Sequence, residues 1–158
     1  MYICVLCSKD SNGTGRVCGC CAEHFTLPPA GPLQGHLDSA PFPAFVVDLY
    51  ADTYMIIKAV NKNACAWIGK DPQEIVQHLI GNVIECASAR CSEGCGNAAL
   101  CQACAIRKSV TRTARTGKPL LRVPFDLHRG DIEHPAVVRL FLTTVKAGAR
   151  VLMRIDQE

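Results

Sequence analysis

Eleven cysteines in 158 residues define the chemistry open to this chain. Cys4, Cys7, Cys18, Cys20 and Cys21 crowd the first 21 residues; Cys86, Cys91, Cys95, Cys101 and Cys104 fall within 19 residues further on; Cys65 stands alone. Thiolate sulfur is both a nucleophile and a soft metal ligand. Two cysteines separated by two residues can direct both sulfurs at one ion, and two such pairs complete a tetrahedron with metal–sulfur distances of about 2.3 Å for zinc. Cys4-x-x-Cys7 and Cys18-x-x-Cys21 form such a set, with ten residues between them, and predict a zinc site. A segment of about 25 residues cannot build its own core, so its folding would depend on the metal. Cys20 is spare in this arrangement, and His24 could replace one cysteine, although a lone histidine in such a segment is more often simply solvated. Cys65, with Trp67, is expected to pack in the core.

The remaining composition narrows the classes. Hydrophobic residues make up 49% and charged residues 20%, which suits a folded core. A net charge of +3 gives no argument for nucleic acid or a membrane surface. No run of about 18 apolar residues is present to span a bilayer. The start, MYICVLCSKD, lacks a basic stretch followed by an apolar one, so a cytoplasmic protein is expected. In that compartment dense cysteine means metal or redox chemistry, and an odd count fits a disulfide framework poorly.

The elements that position these cysteines are legible in outline. Residues 27–43 contain five prolines and little periodicity. Residues 27–40 are therefore expected to be a linker, between a metal knuckle over 1–26 and a larger domain over 41–158. In that domain Ala44–Leu49 and Tyr54–Val60 predict two strands joined by a turn at Ala51-Asp52-Thr53. Asn61 can cap a helix through Trp67 that Gly69 closes. Asp71 and Pro72 can open a second helix running to about Leu79. An irregular stretch over 81–96 follows, then a helix from about Asn97 to Thr116 with Ala103, Ile106, Val110 and Ala114 on one face. Leu120–Leu127, Ala136–Val145 and Arg150–Asp156 predict three strands, with Pro124 pointing to an edge or a bulge. In the last of them Val151, Met153 and Ile155 alternate onto one face. The order β-β-α-α-α-β-β-β predicts an α+β domain: a five-stranded antiparallel sheet with helices on one face.

That order, with these residues, resembles the PAS fold. In AVNKNACAWIGKDPQEIVQHLIG, residues 59–81, an Asn starts a short helix, a Gly follows eight residues later, then an acidic helix and a second Gly; here these are Asn61, Gly69, Glu74 and Gly81. The stretch GNVIECASARCSEGCGNAALCQACAIRKSV, residues 81–110, resembles a cysteine-rich subgroup of PAS domains from bacterial signalling proteins. In that subgroup a Cys ends the loop after the acidic helix, a Gly-Cys-Gly follows, and Cys-x-x-Cys opens the long helix. The resemblance implies Cys86, Cys95, Cys101 and Cys104 as ligands of an iron–sulfur cluster or of zinc. Cys91 departs from the pattern and competes with Cys95 for its place. The N-terminal segment CVLCSKDSNGTGRVCGCCAEHF resembles the zinc knuckles attached to some bacterial signalling proteins. It also resembles a four-cysteine pattern that holds an iron–sulfur cluster in an oxygen-sensing kinase, although there the pattern lies inside the PAS domain.

Placed in the first turns of a helix, Cys101 and Cys104 share a face, and unpaired backbone N–H groups there stabilise thiolate. Four thiolates on a divalent ion leave a charge of −2, which Arg90, Arg107 and Lys108 lie near enough in sequence to offset. Iron–sulfur implies a sensor of redox state or oxygen; zinc implies a structural staple for an interaction module. Enzymatic readings are weaker. Cys101-x-x-Cys104 lacks the βαβ context of a thioredoxin-like dithiol. The expected helix 97–116 contains no histidine for haem, and the flavin-binding Asn-Cys-Arg-Phe-Leu-Gln motif is missing near Cys86. Walker A, G-x-G-x-x-G, G-x-S-x-G and H-E-x-x-H are also missing. The expectation is a sensory module rather than an enzyme, homodimeric, passing its signal to a histidine kinase or other output protein, with no nucleic-acid or membrane partner.

Overall fold

The computed structural model describes residues 2–3, 10–11, 32–92 and 94–158. Strands β1 (Tyr2–Ile3) and β2 (Asp10–Ser11) pair antiparallel. Cys4, Cys7, Cys18 and Cys21, with Cys20 and His24, lie outside the described residues, so the knuckle expected over 1–26 has no structural account beyond that pair.

Five strands form the main sheet: β3 (Ala44–Tyr50), β4 (Tyr54–Val60), β5 (Leu120–Arg129), β6 (Ala136–Ala147) and β7 (Arg150–Gln157). Their spatial order is β4-β3-β7-β6-β5 and every pairing is antiparallel. The first and last strands of this sheet in sequence, β3 and β7, therefore lie side by side within it. Pro124 sits on the edge strand β5, which also carries a register shift between Leu120 and Val123. An edge strand tolerates a residue that cannot donate to the ladder.

Four helices lie between β4 and β5: α2 (Lys62–Ile68), α3 (Pro72–Ile75), α4 (Ile80–Val83) and α5 (Ala105–Thr116). They cover one face of the sheet. Phe45, Val47, Met55, Ile57, Leu140, Leu142, Val151, Met153 and Ile155 project from the strands into a core closed by Ala64, Ile75, Ile80, Val83, Ile106 and Val110. Cys65 and Trp67 pack against the margin of this core and stay partly exposed. Thr113 and Thr144 are fully buried and share a 2.7 Å hydroxyl–hydroxyl hydrogen bond, which ties α5 to β6.

Three expectations are corrected. Within the segment expected to be a linker, Pro32–Ser39 forms helix α1. Leu37 is buried at 1% exposure, and Asp38 accepts a hydrogen bond from the Lys62 backbone at 2.9 Å. Pro32 at the first helical position costs nothing there, because that N–H has no intrahelical partner. Second, the helix begun by Asp71 ends at Ile75 rather than Leu79. Gln77 takes a positive φ of 70° and its N–H donates to Ile57 at 2.7 Å, while Ile57 donates to His78 at 3.0 Å. The edge of β4 is thus capped by pairing that competes with the helix. Third, the helix expected over 97–116 is broken. A 3-10 turn spans Ala99–Ala103, Cys104 is extended at ψ 120°, and α5 starts at Ala105. Ala103 is consequently exposed, and the buried face of α5 is Ile106, Ser109, Val110 and Thr113.

Candidate metal centre

Cys86 follows α4 and opens a 3-10 turn over Ala87–Arg90. Its N–H donates to the Gly81 carbonyl at 2.9 Å, and it forms a bridge with Arg129 of β5. The preceding Glu85 has a φ of 60°, and its carboxylate lies 3.2 Å from Arg129 Nε and 3.7 Å from Lys70 Nζ. The loop then turns at Gly94, whose N–H donates to Cys91 at 2.9 Å. Gly96 adopts a φ of 92°, and a Cβ there would come within 3.2 Å of Thr53 Cγ2 and 3.3 Å of Tyr54 Cδ1. Both the backbone and the close approach to the β3–β4 hairpin require glycine at 96. The Tyr54 hydroxyl donates to Asn97 Oδ1 at 2.9 Å, fastening the same loop.

Backbone N–H groups act on three of the sulfurs. Gly96 donates to Cys101 at 3.3 Å, and the backbone amides of Gly81, and of Ile106 and Arg107 in the first turn of α5, lie near enough to Cys95 and Cys104 to favour their thiolates. Opposing it, burial pushes the Cys95 thiol up to about 11; the Gly81 N–H lowers it, and charge on Cys101, Cys104 and Cys86 raises it further. Burial also raises Cys104, the Arg107 and Ile106 N–H groups lower it, and charge on Cys86 and Cys101 raises it. Cys86 and Cys101 therefore lie within electrostatic reach of both Cys95 and Cys104, and Cys91 is not among the groups acting on either. All six described cysteines are free thiols. Among the described residues, no three His, Cys, Asp or Glu side chains already stand close enough to hold an ion.

No protein-family model matches the sequence. No curated protein matches it either. Solved structures do. The Rhodobacter sphaeroides LOV protein superposes with a TM-score of 0.52 at 14% identity, over 79% of this chain and 64% of that one. The PAS domain of Bordetella pertussis BvgS gives 0.52 at 16% identity, over 80% and 83%. The PAS domain of nitrogen regulation protein NR(II) from Vibrio parahaemolyticus gives 0.50 at 11% identity, over 82% and 100%. The chain has the PAS fold. It spans less than two thirds of the LOV protein's length, and identities this low carry the fold alone.

Within this PAS domain the cysteine loop occupies the connection between α4 and α5. Of the two cysteines competing in sequence, Cys95 is the one whose thiol is raised by charge on Cys101, Cys104 and Cys86. Only Cys104 stands at the helix start; Cys101 lies one 3-10 turn earlier. Of the cations expected to offset thiolate charge, Arg107 donates to the Asp52 carbonyl and the Thr53 hydroxyl, each at 3.3 Å. Sequence patterns did not point to Tyr54, Thr53 or Asn97 as supports of the site. Their pairing joins residues 43 apart, and no local motif marks it.

Proposed function

We propose that this chain is a sensory PAS module in which Cys86, Cys95, Cys101 and Cys104 hold an iron–sulfur cluster and report redox state or oxygen. The observation that carries the reading is the Gly96 N–H donating to Cys101 at 3.3 Å, with the backbone amides of Gly81, Ile106 and Arg107 favouring the thiolates of Cys95 and Cys104. Such donors stabilise thiolate, the form a metal requires, and tune a cluster's potential. When bound, a cluster supplies a one-electron couple and sensitivity to oxygen. The four sulfurs must draw closer to ligate, so occupancy would tighten the loop 91–101 against α4 and the start of α5. Occupancy or loss would then shift α5, which packs on β5, β6 and β7. The function is regulatory rather than enzymatic.

Zinc in the same quartet is the second reading. It is favoured by the way the four cysteines would staple α4, the loop and α5, which is what a closed four-cysteine site does. Zinc at Cys4, Cys7, Cys18 and Cys21 rests on their spacing. No helix among the described residues is long and apolar enough to cross a membrane. A cytoplasmic homodimer that passes its signal to a histidine kinase or other output protein completes the proposal.

Iron, zinc and acid-labile sulfide content, measured on protein purified without oxygen, tests it. Iron and sulfide in equal amounts, lost in Cys104→Ala, are expected. Zinc in that quartet without sulfide would leave the second reading. Metal content unchanged in both Cys95→Ser and Cys104→Ala would overturn both.

A further inference from the structure

The outward face of α5 is basic along its length. Arg107, Lys108, Arg112 and Arg115 line an open groove of about 500 Å³ with Gln102 and Thr111. Its only carboxylate, Asp52, is engaged by Arg115. Arg107 is held by the hairpin turn. Lys108 and Arg112 are exposed and make no ion pair among the described residues. Between them Thr111 Oγ1 is buried and has no hydrogen-bond partner in the described structure.

From this arrangement we infer that α5 is a docking surface for an acidic helical segment of a partner protein. Lys108, Arg112 and Arg115 repeat at i, i+4 and i+7, the spacing of one helix face over about 10 Å. Carboxylates at the same spacing on a second helix would meet them in register. A longer polyanion is matched less well, because the basic residues stop within one short helix. Gln102 places the near end of the groove between Cys101 and Cys104, so the occupant touches the cysteine loop. The surface exists whether or not that loop holds a metal, so the inference stands apart from the proposed sensing chemistry.

The test is anisotropy of a labelled alanine-based helical peptide carrying glutamates at i, i+4 and i+7, with its lysine counterpart as control, on the full chain. The glutamate peptide is expected to bind, more weakly as salt rises. Lys108→Glu with Arg112→Glu, both at exposed positions, should weaken it at least tenfold. Equal binding of the lysine peptide, or indifference to the double charge reversal, would overturn the inference. So would tighter binding to a DNA duplex or to anionic lipid vesicles than to the glutamate peptide.

Discussion

The Tyr54 hydroxyl donates to Asn97 Oδ1 at 2.9 Å, joining the first residue of β4 to the loop that carries Cys95 and Cys101. The bond is exposed, so its removal leaves no buried orphan and costs about 1 kcal/mol or less. Its effect is local. Tyr54→Phe is expected to leave the denaturation midpoint nearly unchanged while amide exchange across 94–101 speeds up several-fold. Urea denaturation reads the midpoint and hydrogen exchange by mass spectrometry the loop, and unchanged exchange in the loop would show that Gly96 packing alone holds it.

Asn61 has the opposite character. It is fully buried, and its side chain makes four hydrogen bonds: Oδ1 accepts from Ala44 at 3.0 Å and Ala64 at 2.9 Å, and Nδ2 donates to Leu37 at 2.9 Å and Phe42 at 2.8 Å. It caps α2, opens β3 and anchors α1 at once. Asn61→Ala removes a cap worth about 1 kcal/mol and orphans further buried groups at about 1–3 kcal/mol each. A loss of roughly 3 kcal/mol or more is expected in urea denaturation. Asn61→Asp should lose more, because a carboxylate would face the Leu37 and Phe42 carbonyls.

Much of this architecture was legible because it rests on local rules. Asn61, Gly69 and Pro72 act within one turn, and Val151, Met153 and Ile155 follow the two-residue period of a half-buried strand. Helix α1 was not legible. It has few apolar residues, and what stabilises it is Leu37 in the core and the Asn61 side chain, both tertiary. The break at Cys104 carries no Gly or Pro to mark it. That Cys95 lies against Gly81 was not legible either, because the contact is made across the loop in space.

The pH response of the metal-free protein follows from Cys95. Its thiol is pushed from an ordinary 9.0 up to about 11, chiefly by burial. The folded state thus holds this proton more tightly than the unfolded state. Its contribution to stability is complete below pH 9 and is lost as pH rises through about 11. The denaturant midpoint of the metal-free protein should fall between pH 9 and 11, and Cys95→Ser should flatten that fall. Metal binding runs the other way, since each protonated thiol must release its proton to ligate. Affinity is expected to rise with pH across 6 to 9, which competition titration against a chelator measures.

Gly81 offers a test that touches no cysteine. It lies in α4 without a positive φ, so helix propensity alone predicts that Gly81→Ala stabilises the protein by up to about 1 kcal/mol. Crowding predicts the reverse: the added Cβ would overlap the Cys95 sulfur and lie 3.0 Å from its Cβ, and overpacking costs about 1–3 kcal/mol. In the metal-free protein Cys95 can rotate aside, so the two effects nearly offset and the midpoint should move little. A ligating sulfur cannot rotate aside. Gly81→Ala is therefore expected to weaken metal retention at least tenfold while leaving the metal-free fold within about 1 kcal/mol of the parent. Cys91→Ser should retain metal as the parent does. If Cys91→Ser loses the metal and Gly81→Ala keeps it, Cys91 and not Cys95 is the ligand.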